Sequence, residues 1–192
     1  WDSVSVYASP STIQGLMPST NYEFRMATDC FGLISNYTSS ITHKTECVPV
    51  ATLPWADGFE SITTAGELPS CFVAQGVSGK LSSAISTQSY NRSARTDSNY
   101  AYFVYGCWNR LYTPTFDLVA GGNYTFSFWY KADGGSGWGE LSAGLYSTQG
   151  DTSSFVSAVG TPITSGVTNT AYQQYTASFT VSASGAYSIG IF

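Results

Sequence analysis

An all-β chain built as antiparallel β-sandwiches is what this sequence predicts, and three observations predict it. Residues Asn123-Tyr-Thr-Phe-Ser-Phe-Trp-Tyr-Lys-Ala132 alternate strictly, with Tyr124, Phe126, Phe128 and Tyr130 on one face of an extended strand. Thr125, Ser127, Trp129 and Lys131 fall on the other face. Short apolar runs recur along the chain between turns rich in Gly, Ser and Thr. No segment carries a 3.6-residue period, so no helix is expected. Aromatic rings at period two need a second layer to cover them, which places 124–131 at the centre of a sandwich.

Composition narrows the setting. Charged residues make up 10% of the 192 and aromatic residues 16%, so the surface must be carried by Ser, Thr, Asn, Gln and Tyr instead of by ionic groups. That balance is common in secreted and cell-surface β-proteins. The formal charge is −5 with no Lys/Arg cluster, which argues against nucleic acid as a partner. A run of about 18 apolar residues, the length of a spanning helix, does not occur. The chain opens at Trp1 with neither Met nor a signal peptide and stops at Ile189-Gly-Ile-Phe192, inside what reads as a strand. It is expected to be a window on a longer polypeptide.

Taken in order, strands are expected at 3–7, 11–13, 22–28 and 38–44. Thr45-Glu-Cys-Val-Pro-Val-Ala-Thr-Leu-Pro54 holds two prolines that keep it extended, so 47–54 is predicted to link a domain over 1–46 to another over 55–192. Beyond it, strands are expected at 71–75, 81–86, 100–105, 115–118, 124–131, 141–146, 172–181 and 186–192.

Within the first segment, Leu16, Pro18, Thr20, Tyr22 and Phe24 resemble the corner between the fifth and sixth strands of a fibronectin type III domain. That resemblance implies a Leu in the core and a Tyr whose hydroxyl hydrogen-bonds back across the corner. It covers only the second half of such a domain, so an open apolar face is expected, with the missing strands placed before Trp1. The second segment carries Leu53-Pro-Trp-Ala-Asp-Gly-Phe-Glu60, Leu68-Pro-Ser-Cys-Phe72, Thr113-Pro-Thr-Phe-Asp-Leu118 and the 124–130 strand. Ser136-Gly-Trp138, Tyr172-Gln-Gln-Tyr-Thr176 and Gly185-Ala-Tyr-Ser-Ile-Gly190 complete the series. In order and spacing these are similar to the MAM-like jelly-roll modules, of the cleaved-adhesin type, of secreted bacterial surface proteins and gingipain-like proteases. The resemblance implies a jelly roll lacking its last strand, which in such modules bears paired acidic residues.

Few residues offer chemistry. His43 lies in the polar pattern Ile41-Thr-His-Lys44, with no nucleophile or orienting acid nearby, and is expected to face solvent. The nucleophile elbow Gly-x-Ser-x-Gly and the zinc motif His-Glu-x-x-His are both missing. The jelly-roll resemblance makes Asp57 and Glu60 the candidates for a structural calcium ion, which takes six to eight hard oxygens; the alternative is a pair of acids that solubilise a strand end. The cysteines stand at 30, 47, 71 and 107, and disulfides suit a low-charge extracellular β-protein. At about 3.3 Å per residue Cys30 and Cys47 fall about 20 Å apart, too far to bridge. Cys30 is expected to pair outside the chain; Cys47 with Cys71 competes with Cys71 with Cys107. Trp108, Trp129 and Trp138 lie in or beside loops or on the polar strand face, where an indole stacks a sugar ring or else braces the fold. Asn36-Tyr-Thr, Asn91-Arg-Ser and Asn123-Tyr-Thr match the glycosylation sequon.

Together these features, with the resemblance, point to a non-enzymatic extracellular adhesion or structural repeat module of a large secreted cell-surface protein. Its expected partners are neighbouring modules of the same polypeptide, surface glycans and the secretion or surface-attachment machinery. A carbohydrate-binding module and an accessory domain of a secreted protease or glycosidase are the competing readings.

Overall fold

Alternation along the chain becomes strand pairing almost everywhere that it is strong. The computed structural model describes residues 2–64, 66–75, 93–103, 110–132, 139–164 and 167–192. Strands dominate them, and the chain divides into two units, Trp1–Val48 and Pro49–Phe192.

In the first unit β1 (Asn21–Phe24) runs antiparallel to β4 (Ile41–Lys44), with Tyr22 opposite His43. Between them β2 (Asp29–Cys30) and β3 (Leu33–Ile34) form a small hairpin. The Tyr22 hydroxyl accepts a hydrogen bond from the Met17 N–H at 2.7 Å, five residues back, the contact that the resemblance over Leu16 to Phe24 implies. No described residue of this unit is buried. Met26, Phe31, Leu33, Ile34 and Ile41 are 64% to 109% exposed, so large apolar side chains lie open along it. Residues 3–7 and 11–13 form no strands; no described strand stands beside them to complete a ladder, and a strand without a neighbour leaves its backbone groups to water.

The second unit has a core between two layers. One is a sheet ordered β10 (Phe155–Ala158), β9 (Ala143–Tyr146), β12 (Gly185–Ile191), β6 (Arg110–Tyr112) and β5 (Val73–Gln75), with β7 (Phe116–Leu118) also paired to β12. The other is the ladder of β8 (Asn123–Tyr130) and β11 (Gln173–Thr180), in unbroken antiparallel register from Asn123 opposite Thr180 to Tyr130 opposite Gln173. Tyr124, Phe126, Phe128 and Tyr130 point inward as the alternation requires, against a cluster that includes Phe116, Leu118, Leu145, Val159, Val181 and Ile189. Phe128 stacks on Tyr175 with centroids 5.0 Å apart, an arrangement contributing about 0.5–1.5 kcal/mol beyond area burial. Trp55, Phe59 and Phe72 extend the core past Phe116, Trp55 meeting Phe116 edge-on at 5.3 Å.

Two local devices hold this unit in shape. The outer face of the larger sheet is covered by its own rings: Tyr112 and Tyr146 meet at 5.1 Å, and Phe155 joins at 5.6 Å. They lie across Gly190, where a Cβ would stand 2.8 Å from the Tyr146 ring, so that position requires glycine. The turn into β8 repeats the corner of the first unit. The Tyr124 hydroxyl accepts from the Val119 N–H at 2.8 Å, again five residues back. Leu118, Asn123, Tyr124 and Phe126 follow the spacing of Leu16, Asn21, Tyr22 and Phe24. Three residues before each tyrosine the backbone turns left-handed, at Ser19 (φ 51) and Gly121 (φ 74).

Some expected elements differ. The 47–54 stretch is not only a linker: Val50 bridges Phe116 in parallel, and its side chain packs on the core, because a β-branched apolar residue finds the open edge of β7. Strands β6 and β10 and the β2–β3 hairpin are too short for a periodic signal. Residues 100–103 form no strand; the 81–86 strand and residues 104–105 lie outside the described residues.

Leu145→Ala, in a side chain with no exposure, should lower the unfolding free energy by about 2–5 kcal/mol in urea titrations. Thr176→Val, on the exposed side of β11, should change it by no more than about 0.5 kcal/mol. Burial holds the Tyr112 and Tyr175 hydroxyls above their ordinary 10.0. A raised folded-state pKa means stability is complete below the unfolded value and falls as pH rises through the folded ones. Phenolate absorbance should therefore show these two ionising together with alkaline unfolding, and stability flat on the acid side of that window.

Candidate functional site

Every second residue of β8 and β11 leaves the core and builds an open polar face. Thr125, Ser127 and Trp129 of β8 are exposed, as are Gln174, Thr176 and Ser178 of β11. Directly opposed residues share a face, so Trp129 lies beside Gln174, Ser127 beside Thr176 and Thr125 beside Ser178. The last pair of hydroxyls is 3.4 Å apart. Apart from the indole, this surface is made of hydroxyl and amide groups.

At the Trp129 end the face becomes cationic and aromatic. Residues 93–95 reach it from a loop: the Arg95 guanidinium carbon stands 3.9 Å from the Trp129 ring centroid, and Trp129 is 42% exposed. Lys131 Nζ lies 4.7 Å from the Tyr172 ring centroid and donates to Ser93 Oγ at 2.8 Å. The Tyr172 hydroxyl donates to the Ser93 carbonyl at 2.9 Å. Partial burial lowers the Lys131 pKa and raises that of Tyr172, since each charged form loses hydration there. Among the described residues the ion pair is Arg25 with Glu23, so neither Arg95 nor Lys131 faces a carboxylate partner. Of this group, sequence patterning places Trp129 and Lys131 on the outer face. Tyr172 and Gln174 follow the same alternation once β11 is paired, whereas Arg95 comes from a loop without periodic signal.

The 57–60 corner is built differently. Asp57 Oδ1 accepts from the Phe59 N–H at 2.6 Å, and Glu60 Oε1 accepts from the Asn99 N–H at 3.1 Å. The Asn99 amide nitrogen donates to the carbonyls of Phe59 (2.8 Å) and Ile62 (2.9 Å). Among the described residues no three His, Cys, Asp or Glu side chains come together; a calcium ion at Asp57 and Glu60 would have to draw the rest of its six to eight oxygens from carbonyls and water.

His43 sits exposed on β4. Cys47 and Cys71 are disulfide-bonded, one of the two pairings expected for Cys71, and Cys30 is a free, exposed thiol. Cys107, Trp108 and Trp138 lie outside the described residues. No helix of the described residues is long and apolar enough to cross a membrane.

No protein-family model, curated protein or solved structure matches the chain.

Asn99→Ala removes two hydrogen bonds to partly buried carbonyls, and thermal or urea unfolding should report a loss of about 1–3 kcal/mol. A calcium-dependent rise in melting temperature that EGTA reverses and that Glu60→Gln abolishes is the result expected of a calcium ion held at Asp57 and Glu60; equal melting in calcium and EGTA would remove that ion.

Proposed function

We propose that this chain is a non-enzymatic adhesion or structural module of an extracellular, cell-surface protein. The observation that carries the reading is the open β8–β11 face, lined by hydroxyls, amides and an indole, a surface suited to contact more than to enclosing a reaction. The Cys47–Cys71 disulfide supports an oxidising compartment, and the scarcity of charge supports a surface in which uncharged polar groups do the contacting. Modules of this kind act in series with neighbouring modules of the same polypeptide, and attachment strength comes from repetition: linking copies raises avidity by about 10²–10⁴ without new contacts. A second reading, carbohydrate binding, is favoured by the exposed indole beside Gln174 and Thr176. In it the Trp129 face takes a saccharide.

Beads bearing the chain at high density should hold to mucin-coated glass under washing that removes the free monomer, and excess monomer should slow their attachment. Equal retention on albumin-coated glass would contradict adhesion. Turnover of casein or of a polysaccharide panel by the purified chain would contradict the non-enzymatic assignment.

A further inference from the structure

The charge at the Trp129 end of the β8–β11 face is of the wrong sign for the chain that carries it. The protein has 12 acidic residues against 7 Lys and Arg, yet here two cations gather over two aromatic rings, and among the described residues neither is in an ion pair with a carboxylate. Stability alone does not call for the arrangement, because a cation held on a ring at an exposed site contributes only about 0.5–1 kcal/mol.

The guanidinium carbon lies 3.9 Å from the indole centroid, and a guanidinium packed on an aromatic ring can keep in-plane N–H groups for a carboxylate, which its fork takes through two parallel hydrogen bonds. Lys131, steadied by Ser93, adds a second positive charge on the same side of the strand. Next to them run Gln174, Ser127 and Thr176, exposed and uncharged, a strip that matches the hydroxyls of a sugar better than the alternating apolar side chains of a peptide. We propose that this end of the face binds a carboxylate-bearing saccharide, with Arg95 clasping the carboxylate on its Trp129 platform, Lys131 adding charge, and Gln174 and Thr176 meeting the ring hydroxyls. The inference rests on the carbohydrate reading of the Trp129 face and adds the acidic class of the sugar.

The test uses the full chain in calorimetric titrations with two acidic probes, trigalacturonate and 3′-sialyllactose. Their neutral counterparts are the methyl ester of trigalacturonate and lactose. At least one acid should bind tenfold or more tightly than its neutral counterpart, with affinity falling as salt rises. Arg95→Gln should lower that affinity at least tenfold and Lys131→Gln severalfold. Both variants should melt within about 2–4 °C of the unaltered chain, since Arg95 is exposed and neither residue belongs to the core. Equal affinity for acid and neutral sugar, or binding untouched by Arg95→Gln, overturns the proposal. If neutral sugars bind and Trp129→Ala abolishes that binding, the carbohydrate reading stands and the acidic class falls. If no sugar binds, both fall; polyglutamate binding as tightly as the sugars would assign the patch to acidic peptides and overturn the saccharide.

Discussion

The structure depends on one constraint: a strand has two faces, and in β8 one of them carries only rings. Tyr124, Phe126, Phe128 and Tyr130 occupy successive inward positions, so a slip of one residue would bring Thr125, Ser127, Trp129 and Lys131 into the core. Register is thereby fixed across the whole β8–β11 ladder. The opposing sheet answers with small and aliphatic residues, Ala143, Leu145 and Ile189, which leave space for rings. The same alternation that buries the rings leaves every second residue outside, and the candidate binding surface is the outward half of the strand that holds the core.

The two units show how far such patterning goes. In the second, alternating strands meet a second layer, and side chains such as Leu145 and Val159 lose all exposure. In the first, the local devices are equally well formed, yet nothing described covers Met26, Leu33 or Ile41. The corner at Tyr22 and the corner at Tyr124 use the same spacing and the same hydroxyl-to-backbone bond. A corner sets the path of the chain; burying its apolar residues is the task of the opposing sheet.

Legibility in the sequence follows the same division. Long alternating runs such as 124–130 and 173–180 are read directly, because seven or eight residues at period two admit one arrangement. The Tyr22 corner is legible from spacing, and its counterpart at Tyr124 carries the same residues, although the run of rings after it draws attention away. Short strands such as β6, beside Pro114, give no periodic signal, and their place is decided by the neighbour they pair with. Val50 is hidden for the same reason between its prolines. Within the candidate site Trp129 and Lys131 follow from alternation, but Arg95 reaches the indole from a loop, and no spacing in the sequence announces that contact. Asn99 likewise meets the 59–62 carbonyls across a long sequence separation, so the donor that holds the Asp57 and Glu60 corner is visible only once the chain is folded.

The most direct measurement of which face of β8 is buried is the pattern of nuclear Overhauser contacts between aromatic rings and methyl groups. The rings of Phe126 and Phe128 should show contacts to the methyls of Leu145, Val159 and Ile189, while the Trp129 indole shows none to them. Contacts from the Trp129 indole to those methyls, with the phenylalanine rings silent, would place the strand the other way round and contradict the account.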